Sequence, residues 1–241
     1  MRKNDRKLNE KRKFEILPDY IANADGSVLA SMGNTRVICT ATIDDSVPRF
    51  LKNSGTGWLT AEYAMIPAST NTRKRREIKS GRQDGRGKEI ERIIGRSLRT
   101  AIDFSTLGEY TITLDCDVID ADGGTRTTAI NGAWVATALA LKKLAHETGL
   151  DSFNNVLIHQ IGAISAGIKN KDIYVDLDYE EDSSIDADCN IVINENKDIV
   201  DIQATSEQKS FSMELLNELI QLSSESIEEI FLAQKLILEI K

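Results

Sequence analysis

Two hydrophobic periods alternate along this chain and divide it before any residue chemistry is considered. GSVLASM and TRVICTATI are strand-like and flank Gly33-Asn34, a pair suited to the positive-φ positions of a tight turn, so residues 27–43 predict a β-hairpin. WLTAEYAMIP predicts a short strand stopped by Pro67, and the cationic stretch 68–82 has no apolar period and predicts a loop. From about Asp84 the period lengthens. Ile90, Ile93, Ile94, Ser97, Leu98 and Ala101 follow the spacing of one helical face, with Arg92, Arg96 and Arg99 on a neighbouring face. Arg82, Arg86 and Glu89 fall near the start of that helix. EYTITLDCDVID returns to alternation, and a long apolar helix follows, opening on Gly123-Gly124 and ending at Gly149. NVLIHQIGAISAGI, DIYVDLDY, ADCNIVIN and DIVDIQAT predict four further strands. Residues 212–241 predict an amphipathic helix with Leu216, Leu219, Ile220, Ile227, Ile230 and Phe231 on its apolar stripe.

Strands and helices mix here without strict βαβ alternation. The pattern therefore predicts an α+β fold, with helices packed on a mostly antiparallel or mixed sheet. At 241 residues the chain can bury one sizeable core, and it reads as a single domain over 1–241 in which only the basic stretch 1–13 is loosely ordered. No apolar run approaches the ~20 residues of a membrane helix, so no membrane association is expected. The basic N-terminus has no apolar stretch behind it and does not read as a secretory signal. Cys39, Cys116 and Cys189 are odd in number, far apart and set in apolar runs, which predicts buried free thiols in a reducing, cytoplasmic setting.

Charge changes the picture because it is unevenly placed. The net charge is −8, yet residues 1–13 carry seven Lys/Arg against two acids, and residues 68–100 carry eleven against four. Residues 101–241 carry nine bases and twenty-six acids. An acidic chain that concentrates arginine in one segment is equipped for an anionic partner, since the guanidinium fork matches phosphate oxygens. A salt-bridged, solvated surface is the alternative.

Three groups of residues carry candidate chemistry. At a strand-to-helix junction, Asp122-Gly123-Gly124-Thr125-Arg126 combines glycines that permit close backbone approach, a helix N-terminus, a hydroxyl and a full positive charge. That set suits a small oxyanion such as phosphate and lacks the Gly-Lys-Ser/Thr ending of a P-loop. Arg82 and Arg86, among glycines at a helix entrance, could bracket a phosphodiester or a free phosphate. The acidic run Asp176, Asp178, Glu180, Glu181, Asp182, Asp186 and Asp188 could hold a divalent cation, although a charged loop accounts for most of it, Asp176 and Glu180 in particular. His146 and His159 have no Cys or second His at ligand spacing, so neither a zinc site nor a histidine base is expected.

The order of these segments resembles the ribonuclease PH family over nearly the whole chain. ADGSVLASMGNTRVICTATI, VPRFLKNSGTGWLTAEYAMIPAST, GRQDGRGKEIERIIGRSLR, LGEYTITLDCDVIDADGGTRTTAINGAWVA, VDLDYEEDSSIDADCNIVI and IVDIQATSEQKSFS carry the likeness. It implies the ribonuclease PH fold, related to domain 2 of ribosomal protein S5. It also implies phosphate-dependent 3′→5′ trimming of RNA, such as tRNA-precursor 3′ trailers, and a homohexameric ring built as a trimer of dimers. By the same resemblance Arg86, Gly124, Thr125 and Arg126 bind orthophosphate, the co-substrate. Asp182 and Asp188 are the catalytic aspartates, assisted by a divalent ion, usually Mg²⁺. Arg73 and Arg76 correspond to loop arginines of ring assembly and RNA passage, and Arg82, Arg92, Arg96 and Arg99 extend that basic surface. Ala68 departs from the family's usual arginine after Met-Leu-Pro, and Gln203-Ala204-Thr205-Ser206-Glu207 departs from Gln-Gly-Thr-Ala-Glu. A catalytically silent RNA-binding ring subunit is the competing reading.

Overall fold

The computed structural model describes residues 2, 5–76, 84–148, 153–206 and 209–239. The first sheet holds β1 (Phe14–Pro18), β2 (Gly26–Met32), β3 (Thr35–Asp44), β4 (Trp58–Met65) and β5 (Thr111–Asp120), in the order β1-β2-β3-β5-β4. Its pairs are antiparallel except β4 with β5. A parallel pair needs a long crossover, and helix α1 (Gly85–Arg99) lies within that connection, packed back onto β4. The short α2 (Phe104–Leu107) completes it. The second sheet, entirely antiparallel, orders β6 (Ile161–Lys169), β7 (Asp172–Val175), β8 (Ala187–Asn194) and β9 (Ile199–Ser206) as β7-β6-β8-β9. The architecture is mixed α+β, as the periodicity predicts.

Helix α3 (Thr125–Thr148) runs between the sheets, against β2 and β3 of one and β6 of the other. This explains why its sequence is apolar nearly all round: every residue from 127 to 138 is buried. Asn131 in its middle is satisfied by the β6 backbone, donating to the Ala163 carbonyl at 2.8 Å and accepting from the Ala163 N–H at 2.7 Å. Helix α6 (Met213–Leu238), capped by Ser212, lays its apolar stripe on β6 and also reaches β1 and β7. The three cysteines are buried free thiols. No helix among the described residues is long and apolar enough to cross a membrane.

Several local expectations change. Strand β1 is too short and irregular to stand out by pattern, and it forms because β2 offers an edge. The segment read as one strand from Asn155 divides into helix α4 (Phe153–Val156) and β6. Strand β7 stops at Val175 because Asp176 takes a left-handed φ of 57°, and Asp178 then caps the short helix α5 (Tyr179–Asp182). The basic start expected to be loose is anchored through its arginines: Arg2 and Arg12 are buried and bonded to residues 176–181.

Candidate active site

At the end of β5 the chain turns through residues 121–124 into α3, and neighbouring elements hold that turn from several sides. The Asp122 N–H donates to Thr35 Oγ1 at 2.9 Å, and the Thr35 hydroxyl donates to the Gly123 carbonyl at 2.6 Å. Asp122 accepts from Asn34 Nδ2 at 3.1 Å and from the Tyr179 N–H at 3.3 Å. Glycine is required at both following positions. Gly123 has φ 76°, and a Cβ there would lie 2.3 Å from the Leu177 carbonyl oxygen. Gly124 has φ 64°, and its carbonyl accepts the hydroxyls of Thr127 at 3.0 Å and Thr128 at 2.9 Å. The first-turn N–H groups of α3 have no intrahelical acceptors and carry the positive end of the helix dipole.

Thr125 and Arg126 are oriented by partners that the sequence alone did not reveal. Tyr63 on β4 is buried, and its hydroxyl lies 2.9 Å from Thr125 Oγ1. Burial raises the Tyr63 pKa, against the opposing hydrogen bond to Thr125 and the charges of Arg86 and Arg126, so the phenol stays protonated. Arg126 Nη1 donates to Gln203 Oε1 on β9 at 3.2 Å. Arg86 stands at the start of α1, where the Asp84 side chain caps the helix by accepting the Arg86 N–H at 3.2 Å.

The acidic run separates into distinct jobs. Asp176 is 1% exposed and takes Arg12 in a two-point ion pair, with Nε at 2.8 Å and Nη2 at 2.7 Å. The charged-loop reading of Asp176 is therefore corrected: it is a buried anchor. Asp178 and Glu181 form a capping box at the start of α5. Glu181 also takes the Arg2 fork at 2.6 and 2.8 Å, while Asp186 accepts the Asn170 N–H at 2.8 Å. Asp182, the last residue of α5, and Asp188, on β8, face one cavity.

That cavity, of about 720 Å³, is where the site residues meet: Arg86, Gly124, Thr125, Arg126, Asp182 and Asp188 all line it. Lys74 of the cationic loop and Glu89 of the α1 start also line it, as do Tyr179 and Asn190, which were not singled out by the sequence. The 68–82 loop contributes Thr70, Asn71 and Thr72, whereas Arg73 and Arg76 are exposed and do not line it. Arg92 and Arg96 are exposed on α1. Arg99 differs from them. It lies 4.3 Å from the Trp58 ring centroid and donates Nε to the Leu59 carbonyl at 2.9 Å, which commits it to packing. Arg82 lies outside the described residues.

Among the described residues no group of three or more His, Cys, Asp or Glu side chains has metal-ligand geometry. Two carboxylates on a cavity that also holds arginines still suit a hard cation sharing its shell with a bound phosphate, because Mg²⁺ ordinarily uses one or two protein carboxylates.

The chain matches the 3′ exoribonuclease family, domain 1, over residues 10–143 and domain 2 of the same family over residues 159–226. It is similar in fold to rice (Oryza sativa) Rrp46, at 18% identity and a TM-score of 0.79, covering 98% of this chain and 100% of that one. An Archaeoglobus fulgidus exosome with RNA bound to the active site is similar at 24% identity and a TM-score of 0.77, over 100% and 92% of the two chains. An archaeal exosome core matches at 20% identity and a TM-score of 0.72, over 95% and 88%. With both domains of the family matched in sequence order, and with a glycine-led helix start, two arginines and two aspartates on one cavity, this chain belongs to the 3′ exoribonuclease family.

Proposed function

We propose that this protein is a phosphate-dependent 3′→5′ exoribonuclease that releases terminal nucleotides as nucleoside 5′-diphosphates. The observation that carries the reading is the shared cavity, which sets the Gly124-Thr125-Arg126 helix start and Arg86 together with Asp182 and Asp188. A hydrolytic nuclease needs acidic metal ligands but has no use for a second, oxyanion-shaped site. A phosphorolytic one needs both.

The attack joins two anions, orthophosphate and the terminal phosphodiester, so charge neutralisation and alignment supply most of the catalysis. Arg86, Arg126, the Thr125 hydroxyl and the first-turn N–H groups of α3 hold the attacking phosphate. The Tyr63 and Gln203 contacts keep Thr125 and Arg126 in place before the substrate arrives. Asp182 and Asp188 would hold Mg²⁺, whose chemistry is to neutralise phosphate charge and align the reacting groups. In this reading the same aspartates also help proton transfer to the leaving 3′-oxygen. Because a phosphoanhydride forms as the bond to the 3′-oxygen breaks, the reaction runs in reverse when nucleoside diphosphates are abundant.

The resemblance extends this reading to tRNA-precursor 3′ trailers as substrates and to a homohexameric ring. Exposed Arg73, Arg76, Arg92 and Arg96 supply positive charge for an RNA backbone. A silent ring subunit would be expected to lack arginines or aspartates at the mapped phosphate and catalytic positions, and Arg86, Arg126, Asp182 and Asp188 are all present.

The test is RNA with a 3′ extension in Mg²⁺, with and without orthophosphate, followed by analysis of the released mononucleotides. Diphosphates released only with phosphate are expected. Phosphate-independent monophosphates would overturn the reading, and no release under either condition would favour the silent subunit.

A further inference from the structure

Arg12 and Asp176 form a buried ion pair beside the glycine junction, and neither has a role in the reaction described above. Their side chains are 8% and 2% exposed, and 164 residues separate them in sequence. A buried pair is weak as a source of stability, because desolvation offsets most of the attraction. What distinguishes this pair is the set of backbone groups it also engages. The Arg12 guanidinium donates to the Asp122 carbonyl, to the Gly123 carbonyl at 3.3 Å and to the Leu177 carbonyl at 3.2 Å. Asp176 in turn accepts the Arg12 backbone N–H at 2.6 Å, and its own N–H donates to the Ser165 carbonyl at 2.6 Å.

Peptide planarity turns these contacts into orientation. In a trans peptide the C=O and the next N–H point in opposite directions, so holding the Asp122 and Gly123 carbonyls fixes the Gly123 and Gly124 N–H groups. We propose that Arg12, braced by Asp176, is a positioning residue for the phosphate site, holding the glycine junction against the turn that leads into the Asp182 helix. The inference rests on the function proposed above. It places one guanidinium behind both halves of the site, since the carbonyls it holds at 122 and 123 precede Thr125 and Arg126, and the carbonyl at 177 precedes α5.

Two further observations support it. Gly124 is so close to this side chain that a Cβ on it would lie 3.4 Å from Arg12 Nη2. Burial opposes the Arg12 charge, yet the bond to Asp176 and the charges of Asp176, Asp122 and Asp178 outweigh it and raise its pKa. The group is a permanent cation directly behind an anion site.

The test measures binding of inorganic phosphate to the full chain by calorimetry without RNA, beside steady-state kinetics on RNA with a 3′ extension. Arg12→Lys keeps the charge and loses the fork. It should weaken phosphate binding by about tenfold to a hundredfold while the KM for RNA stays unchanged. Millimolar guanidinium should restore part of the phosphate affinity of Arg12→Ala. If Arg12→Lys does not fold, Asp176→Asn, which keeps the side-chain size and one acceptor oxygen, carries the same expectation. Unchanged phosphate affinity in a folded variant would overturn the inference alone. Phosphate and RNA affinities falling together with Tm, without rescue by guanidinium, would do the same by leaving Arg12 a purely structural role. A wild-type chain that takes up no phosphate would overturn the proposed function and this inference with it.

Discussion

Two arginine-rich stretches look alike in the sequence and do opposite things in the structure. Residues 1–13 and residues 68–100 both carry an excess of positive charge in an otherwise acidic chain. In the first, the Arg2, Arg6 and Arg12 side chains are 2%, 7% and 8% exposed and pair with Asp176, Asp178 and Glu181. In the second, Arg73, Arg76, Arg86, Arg92 and Arg96 are exposed. The buried set has spent its charge within the fold. Only the exposed set keeps a field that a polyanion in solvent can feel, because a low-dielectric interior demands a partner for every charge it takes in. Excess positive charge therefore marks an RNA-facing surface only where the cations stay wet.

The contrast can be broken most forcefully from the buried side. Arg12→Ala takes the two-point partner from the buried Asp176 carboxylate, leaving it only the longer Arg6 ion pair at 3.4 Å, and should cost on the order of 3 kcal/mol in denaturant unfolding. Arg92→Ala should stay within about 0.5 kcal/mol of wild type. A small loss for Arg12→Ala would place that pair among solvated surface contacts. Next in size, Arg126→Ala should lower the phosphorolytic rate at limiting phosphate by about 10²–10³-fold, as removal of an oxyanion donor does, with little change in Tm. Equal losses in phosphate dependence and RNA binding, measured by titrating each substrate separately, would contradict its assigned role.

A smaller effect sharpens the comparison from the exposed side. Arg92→Ala and Arg96→Ala should weaken RNA binding modestly, and each should lower the slope of log affinity against log salt by about one if it contacts a phosphate. Variants at Arg2 should leave that slope unchanged, because its fork is already occupied by Glu181. The smallest effect concerns acid. Burial tends to raise the Glu181 pKa, but the Arg2 hydrogen bond, the Asp178 N–H and the charges of Arg2 and Arg6 outweigh it and hold it below 4.5. A carboxylate with a depressed folded pKa stabilises above its unfolded pKa, and that stability is lost as pH falls below 4.5 through the folded value. Glu181→Gln should therefore flatten the decline of Tm in that window, and a decline as steep as wild type would remove Glu181 from the acid response.

Much of the site was legible because its signals are local. Gly123-Gly124 before a helix and Arg86 after a capping Asp84 are short-range patterns, and each stands where the pattern predicts. The Asp178–Glu181 capping box has the spacing of a known helix start and could have marked α5 in the sequence. Arg12 with Asp176, Tyr63 with Thr125 and Gln203 with Arg126 join residues 164, 62 and 77 positions apart. No periodicity carries information about such pairs. Arg99 shows the converse error: helical spacing groups it with Arg92 and Arg96, but Trp58, on strand β4, removes it from the basic surface.

The sequence by itself determined the period of nearly every element, the mixed α+β class, the oxyanion-ready helix start, and the segment order that resembles a phosphorolytic family. These follow from interactions within a few residues of the chain, where backbone sterics and side-chain spacing dominate. The tertiary structure decided which of seven acidic residues face the cavity, which arginines stay exposed, and that Arg2 and Arg12 of the basic N-terminus are buried. Those outcomes depend on which distant groups share a desolvated volume, because burial decides whether a charge must find a partner inside the fold or may keep its field for a ligand.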